Sequence, residues 1–103
     1  MTREEIRTML VAVDPAIRRG FSMEKEEDYT YWEEPRRLPL LSDDVHDEAW
    51  RFYVHRYTQD EADPVAERLM EALEADDRVS VSHTIDYDRE EGWIHHIFEC
   101  EGY

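Results

Sequence analysis

Cysteine is almost absent. Cys100 stands alone among 103 residues, so no intramolecular disulfide can close, and a reducing compartment is expected. Basic residues are scarce too, 12 against 27 acidic, for a formal net charge of −15. That imbalance argues against binding nucleic-acid phosphate or an anionic membrane surface, because both work through Lys and Arg displacing counterions. No apolar run approaches the roughly 20 residues that cross a bilayer, and the opening MTREEIRTML has neither the basic segment nor the apolar stretch of a signal peptide. With three glycines in all, there is no glycine-rich phosphate loop and no serine-centred elbow.

What is present suffices for one small core: 41% of residues are hydrophobic and 12% aromatic, in a chain of about one domain's length. Residues 1–103 are therefore expected to form a single domain, too small to carry a separate catalytic unit.

Thr2 and Glu5 make a capping box, and Ile6, Met9, Leu10 and Val13 recur at helical spacing until Pro15, so a helix is expected over Arg3 to Val13. In "AIRRGFSM" Ile17, Phe21 and Met23 suggest a short strand that Gly20 weakens. "YTYWEE" alternates aromatic with polar residues as a strand does. Pro35 to Asp47 holds two prolines and no clean period and reads as a long loop. Its Leu38, Leu40, Leu41 and Val45 are the candidate subunit-contact residues, since apolar side chains on a surface loop suggest a partner; folding back onto the core is the competing reading.

In "DEAWRFYVHRYT" Trp50, Phe52 and Val54 share one face, and Arg51, Tyr53, His55 and Tyr57 the other. Asp63 and Pro64 supply an N-cap and first-turn proline, and Val65, Ala66, Leu69, Ala72 and Leu73 form an apolar stripe, so a second helix is expected over Pro64 to Ala75. Val79, Val81, Ile85 and Tyr87 alternate with Ser80, Ser82, Thr84 and Asp86 as a strand with one core face. "REEG" turns the chain into the last strand, "WIHHIFECE". The expected class is α+β, a mostly antiparallel sheet of about four strands with two helices on one face.

The His-His-x-x-x-Cys spacing of residues 95–100 resembles a metal motif, but a strand turns His95 and His96 to opposite faces and separates His96 from Cys100 by roughly 13 Å. Pairing about the "REEG" turn sets His83 opposite Phe98 and Ile85 opposite His96, making His83 and His96 diagonal neighbours. Two imidazoles alone are a poor zinc site, and neither His46 nor His55 completes one. Glu99 and Glu101 flank Cys100 and disfavour a thiolate. The acidic runs "EKEED", "SDD" and "EADD" mark no convergent carboxylate pair. No enzyme, metal or cofactor is expected.

The order of elements resembles the small tail-terminator and tail-completion proteins of siphophages and Firmicutes prophages. The segments that carry the resemblance are "MTREEIRTML", "YTYWEE", the run "WRFYVHRYTQDEADPVAERLMEALEADD" and the closing hairpin ending "IFECE". The strand "RFYVHRYT" leading through "QDEAD" into the helix "PVAERLMEAL" is the most telling part. The likeness covers nearly the whole chain and rests on pattern rather than on signature motifs. One departure stands out: "EEDYTYWEE" lacks the Pro-Pro-Tyr-like entry usual before the aromatic strand.

The resemblance implies a homo-oligomeric ring, typically a hexamer, at the head-proximal end of the tail. There it would halt tail-tube polymerisation and meet the neck or head-completion protein, the subunits residing in the host bacterial cytoplasm before joining the virion. The negative charge would then line a lumen past which DNA slides. A different class fits −15 as well: a small acidic inhibitor that mimics nucleic acid, such as an antirestriction, anti-CRISPR or toxin-immunity protein. A third reading is a metal-dependent enzyme using His83 and His96.

Overall fold

The computed structural model describes residues 1–20, 28–38 and 49–103. Helix α1 runs Arg3–Val13, followed by strands β1 (Arg18–Arg19), β2 (Tyr29–Trp32), β3 (Arg36–Arg37) and β4 (Trp50–Thr58), helix α2 (Pro64–Ala75), and strands β5 (Val79–Asp88) and β6 (Trp93–Gly102). The strands form one sheet in the order β1-β2-β4-β6-β5, with β3 paired to β4 beside β2. All pairs are antiparallel except β1 with β2. The α+β class and both helix ranges agree with the sequence reading. The sheet is larger than the four strands expected because β1 and β3, two residues each, are held by distant partners rather than by a periodic pattern.

Both helices begin where side chains satisfy their free amides. The Thr2 hydroxyl accepts from the Glu5 amide at 3.2 Å, and the Glu5 carboxylate accepts from the Thr2 amide at 3.1 Å. At α2 the Asp63 carboxylate accepts from Val65 and Ala66 at 3.4 and 3.1 Å, and Pro64 fills the first turn. The helices bury Ile6, Leu10, Leu69 and Leu73 against Trp32, Phe52, Val54, Phe98 and Cys100 of the sheet. Phe52 and Phe98 have no exposed surface, each contributing about 1.5–3 kcal/mol of hydrophobic stabilisation.

A buried polar seam continues the same face. Arg56 donates to Asp63 at 2.8 Å and to Thr30 at 3.3 Å, while the Thr58 hydroxyl donates to Asp28 at 2.7 Å. Arg56 thus ties α2's cap to the middle of the sheet. Burial alone would raise the Asp63 carboxyl, but the Arg56 hydrogen bond and charge, with the Ala66 and Val65 amides, outweigh it and hold it below its ordinary range.

The face away from the helices carries a second buried cluster, Tyr29, Tyr31, Tyr57 and Trp93. Tyr29 and Tyr57 stack with centroids 5.2 Å apart, Tyr31 lies on His55 at 4.4 Å, and Tyr57 on His95 at 4.1 Å. Burial pushes the phenols of Tyr29, Tyr31 and Tyr57 above their usual value.

Two strand expectations change. Pro35 to Asp47 does not read as loop from its start, because Arg36 and Arg37 pair with Arg51 and Trp50. The core face expected along β5 holds only for Val79 and Val81; Ile85 is 41% and Tyr87 61% exposed. Length explains the difference, since a 12-residue helix rises about 18 Å while a 10-residue strand extends about 33 Å. The hairpin outruns its cover.

Candidate assembly surface

The last strand presents Ile94, His96, Phe98 and Cys100 to the helix side, all buried, as alternation requires. Phe98 pairs with His83, and His96 with Ile85. Consequently the His83 Nε2 and His96 Nδ1 atoms approach to 2.9 Å. On the opposite face His95 meets His55 of the same chain, with nitrogens 2.8 Å apart. The adjacent histidines of β6 therefore each pair with one histidine of a neighbouring strand, one pair per face. Burial lowers the imidazole pKa of His55, partly opposed by Glu33, and lowers that of His83. For His96, burial and then the His83 charge lower it, Asp63 opposes, and Arg56 adds to the lowering.

Among the described residues no group of three or more His, Cys, Asp or Glu converges to hold an ion. Cys100 is fully buried, and burial with the Glu99 charge pushes its thiol up to about 12. Glu101 is instead occupied by Arg51 at 2.8 Å and by the Tyr103 hydroxyl at 2.7 Å. No described helix is long and apolar enough to cross a membrane.

Of the loop residues expected to contact a partner, Leu38 is half-buried and its amide donates to the Ala49 carbonyl at 2.7 Å. It continues the β3 edge rather than projecting as a free loop. Leu40, Leu41 and Val45 lie outside the described residues, as do Phe21, Met23 and His46.

Two surface features that the sequence reading did not isolate lie at opposite corners of the sheet. The first is the distal hairpin. Its turn is built by Asp88, whose carboxylate accepts from the Glu90 and Glu91 amides at 3.1 and 3.3 Å, and by Gly92 at φ +75°. Around it stand Ile85, Tyr87 and the carboxylates of Asp86, Asp88, Glu90 and Glu91 with one guanidinium, Arg89, all exposed.

The second feature is an open hollow of about 1030 Å³ between α1 and the side of the sheet that β1, β2 and β3 form. Val11, Ile17, Trp32 and Trp50 form its apolar lining, and Arg3, Arg7, Glu4 and Glu34 its charged lining. Arg3 lies over the Trp50 ring at 5.6 Å and is ion-paired to Glu34. Arg37 pairs in register with Trp50, which places it on the same face of the sheet as the hollow. Among the described residues none accepts a hydrogen bond from the buried Trp50 Nε1 group. The chain matches no known protein-family description and none of the curated proteins.

Proposed function

We propose that this chain is a structural subunit of a phage or prophage tail, a terminator or head–tail joining protein that assembles in copies into a ring and ends tail-tube growth. The observation that carries the reading is the projecting hairpin, which leaves Ile85 and Tyr87 at 41% and 61% exposure beyond the helices. Large apolar side chains displayed on a rigid strand are what an assembly contact needs. The order of elements, with α2 set between the long central strand and the closing hairpin, supports the same reading through its likeness to tail-terminator proteins. On this reading the chain is not an enzyme.

The rival reading, a small acidic inhibitor, draws on the net charge of −15. Mixing the purified chain with tail-tube subunits tests the choice by native mass measurement and negative-stain microscopy. Ring-shaped particles capping tubes of finite length are expected. A chain that stays monomeric with tubes present, and leaves their length unchanged, overturns the proposal. A salt-sensitive complex with a basic nuclease would support the rival.

A further inference from the structure

The geometry points to a head-to-tail contact in which the acidic, aromatic tip of one copy's β5–β6 hairpin enters the arginine-rimmed hollow between α1 and β3 of the next. This deepens the ring reading and rests on it for closure of the assembly, while the contact itself stands on the chemistry of the two corners.

Charge is the first argument. The tip carries Asp86, Asp88, Glu90 and Glu91 against Arg89, a local excess of negative charge. At the hollow Arg7 and Arg37 are exposed, and the ion pairs of the described residues engage other arginines, among them Arg3, Arg51, Arg56 and Arg78. Among the described residues Glu4 and Glu34 also line the hollow, Glu34 already paired to Arg3, so with Arg7 and Arg37 the corner keeps a small positive excess that suits an acidic tip.

Shape and polarity give the second argument. Tyr87 and Ile85 protrude as large apolar groups, and the hollow offers an apolar floor of Val11, Ile17, Trp32 and Trp50. A volume of about 1030 Å³ holds several side chains.

Position gives the third. The register rows place Trp50 with Gly102 and Val79 at one end of the sheet, and Thr58 with Ile94 and Tyr87 at the other. The hollow sits on the side of the sheet that β1, β2 and β3 form, and β5 forms the opposite edge. Tip and hollow therefore lie diagonally apart, too distant to meet within one copy. A contact between two different patches is heterologous, so it propagates from copy to copy and closes into a ring when the rotation allows.

Ionic strength should leave a signature. The whole-chain charge of −15 repels at long range, whereas the tip contacts act at short range. At about 10 mM salt the screening length is roughly 30 Å and the net repulsion dominates; near 0.15 M it falls to about 8 Å and the contacts survive. Association should therefore be weaker at both about 10 mM and about 1 M salt than near 0.15 M.

Charge-reversal complementation tests the contact. Sedimentation velocity and native mass would compare the wild type with D86R/E90R, R7E/R37E, and their equimolar mixture at about 0.15 M salt. The wild type should self-associate with rising concentration, and each reversed variant alone should weaken by at least tenfold. The mixture should recover association, because the acidic tip of one variant matches the intact arginines of the other and the two reversed patches match each other. Tyr87→Ala, an exposed change that leaves the fold alone, should weaken association without altering the charge. Circular dichroism would check that every variant folds.

Reversed variants that associate like the wild type, a mixture that fails to recover, or a wild type monomeric at about 1 mM each overturn the contact. The two readings remain separable. Rings that cap tubes yet ignore the reversals keep the ring and remove this contact; association that obeys the reversals without capping tubes does the opposite.

Discussion

Replacing Asp63 by Ser separates the two roles that this one carboxylate combines. Ser keeps an oxygen to cap α2 but withdraws the negative charge from Arg56, whose side chain is 9% exposed against 4% for Asp63. Removing one member of a buried pair costs about 3–5 kcal/mol, because the survivor is left charged and poorly solvated. Asp28, 3.9 Å from Arg56, and the Thr30 hydroxyl at 3.3 Å take over part of that load, so the expected loss is near 3 kcal/mol. Asp63→Ala also removes the cap, a further loss of about 1 kcal/mol. Against a typical domain stability of about 5–15 kcal/mol, either change is large.

Urea unfolding followed by tryptophan fluorescence measures it. With a slope of about 1–1.5 kcal/mol per molar for a chain of this size, the D63S midpoint should fall by roughly 2–3 M. The double variant R56M/D63S keeps the cap and the aliphatic stem and removes both charges, and should return to within about 1 kcal/mol of the wild type. The Asp63 pKa is depressed in the fold, so its contribution is complete above the ordinary carboxylate value near 3.9 and is lost only as pH falls through the lower folded value. Wild type and D63S should therefore differ throughout neutral and mildly acid solution and converge only in strong acid. A D63S loss under 1 kcal/mol, or a double variant as unstable as the single one, refutes the reasoning.

Burial depresses the pKa of His55, His83 and His96, so their contribution is complete above about pH 6.5 and declines as pH falls through that value. His96→Phe keeps a ring stacked beside Phe98 and should flatten the drop in Tm between pH 7.5 and 5.5; an unchanged slope would exclude His96 as a contributor. Cys100, fully buried with its thiol pushed up to about 12, should resist a disulfide reagent at pH 8 until urea unfolds the chain, and rapid labelling of the native protein would contradict that. Gly92 has φ +75° and nothing within 4 Å of an added Cβ, so Gly92→Ala should cost about 1–2 kcal/mol through backbone strain alone and Gly92→Asn less; equal losses in urea melts would count against the turn geometry.

The features legible in the sequence were those whose causes are local. Thr2 with Glu5, and Asp63 with Pro64, mark both helix starts by chemistry contained within four residues. The Gly92 turn set the hairpin register, and with it the approach of His83 to His96. Features fixed by distant partners were not legible. Strands β1 and β3 exist because Tyr31 and Trp32, or Arg51 and Trp50, lie beside them. His55 reaches His95 across 40 residues of chain with no turn to set the register. Arg56 did carry a signal: it occupies the inward position after Phe52 and Val54, and an inward charge requires a partner such as the capping Asp63 seven residues later. The alternation along β5 is uniform in sequence, and only the shorter reach of α2 divides it into a covered half and an exposed one.

That division bears on how copies can meet. Among the described residues, β5 has a strand neighbour on one side only, and an unpaired edge invites a second copy. A symmetric antiparallel pairing of two β5 strands centred between His83 and Thr84 would set Asp88 of each against Val79 of the other, and Asp86 against Val81. Asp76 and Asp77 precede Val79, so carboxylates would gather at both ends of the pair, where like charges destabilise. The acidic tip therefore opposes the symmetric pairing that its own edge would otherwise permit. In the proposed head-to-tail contact the same carboxylates would instead meet opposite charge at Arg7 and Arg37 beside the hollow, which is how that contact would prevail over a closed dimer.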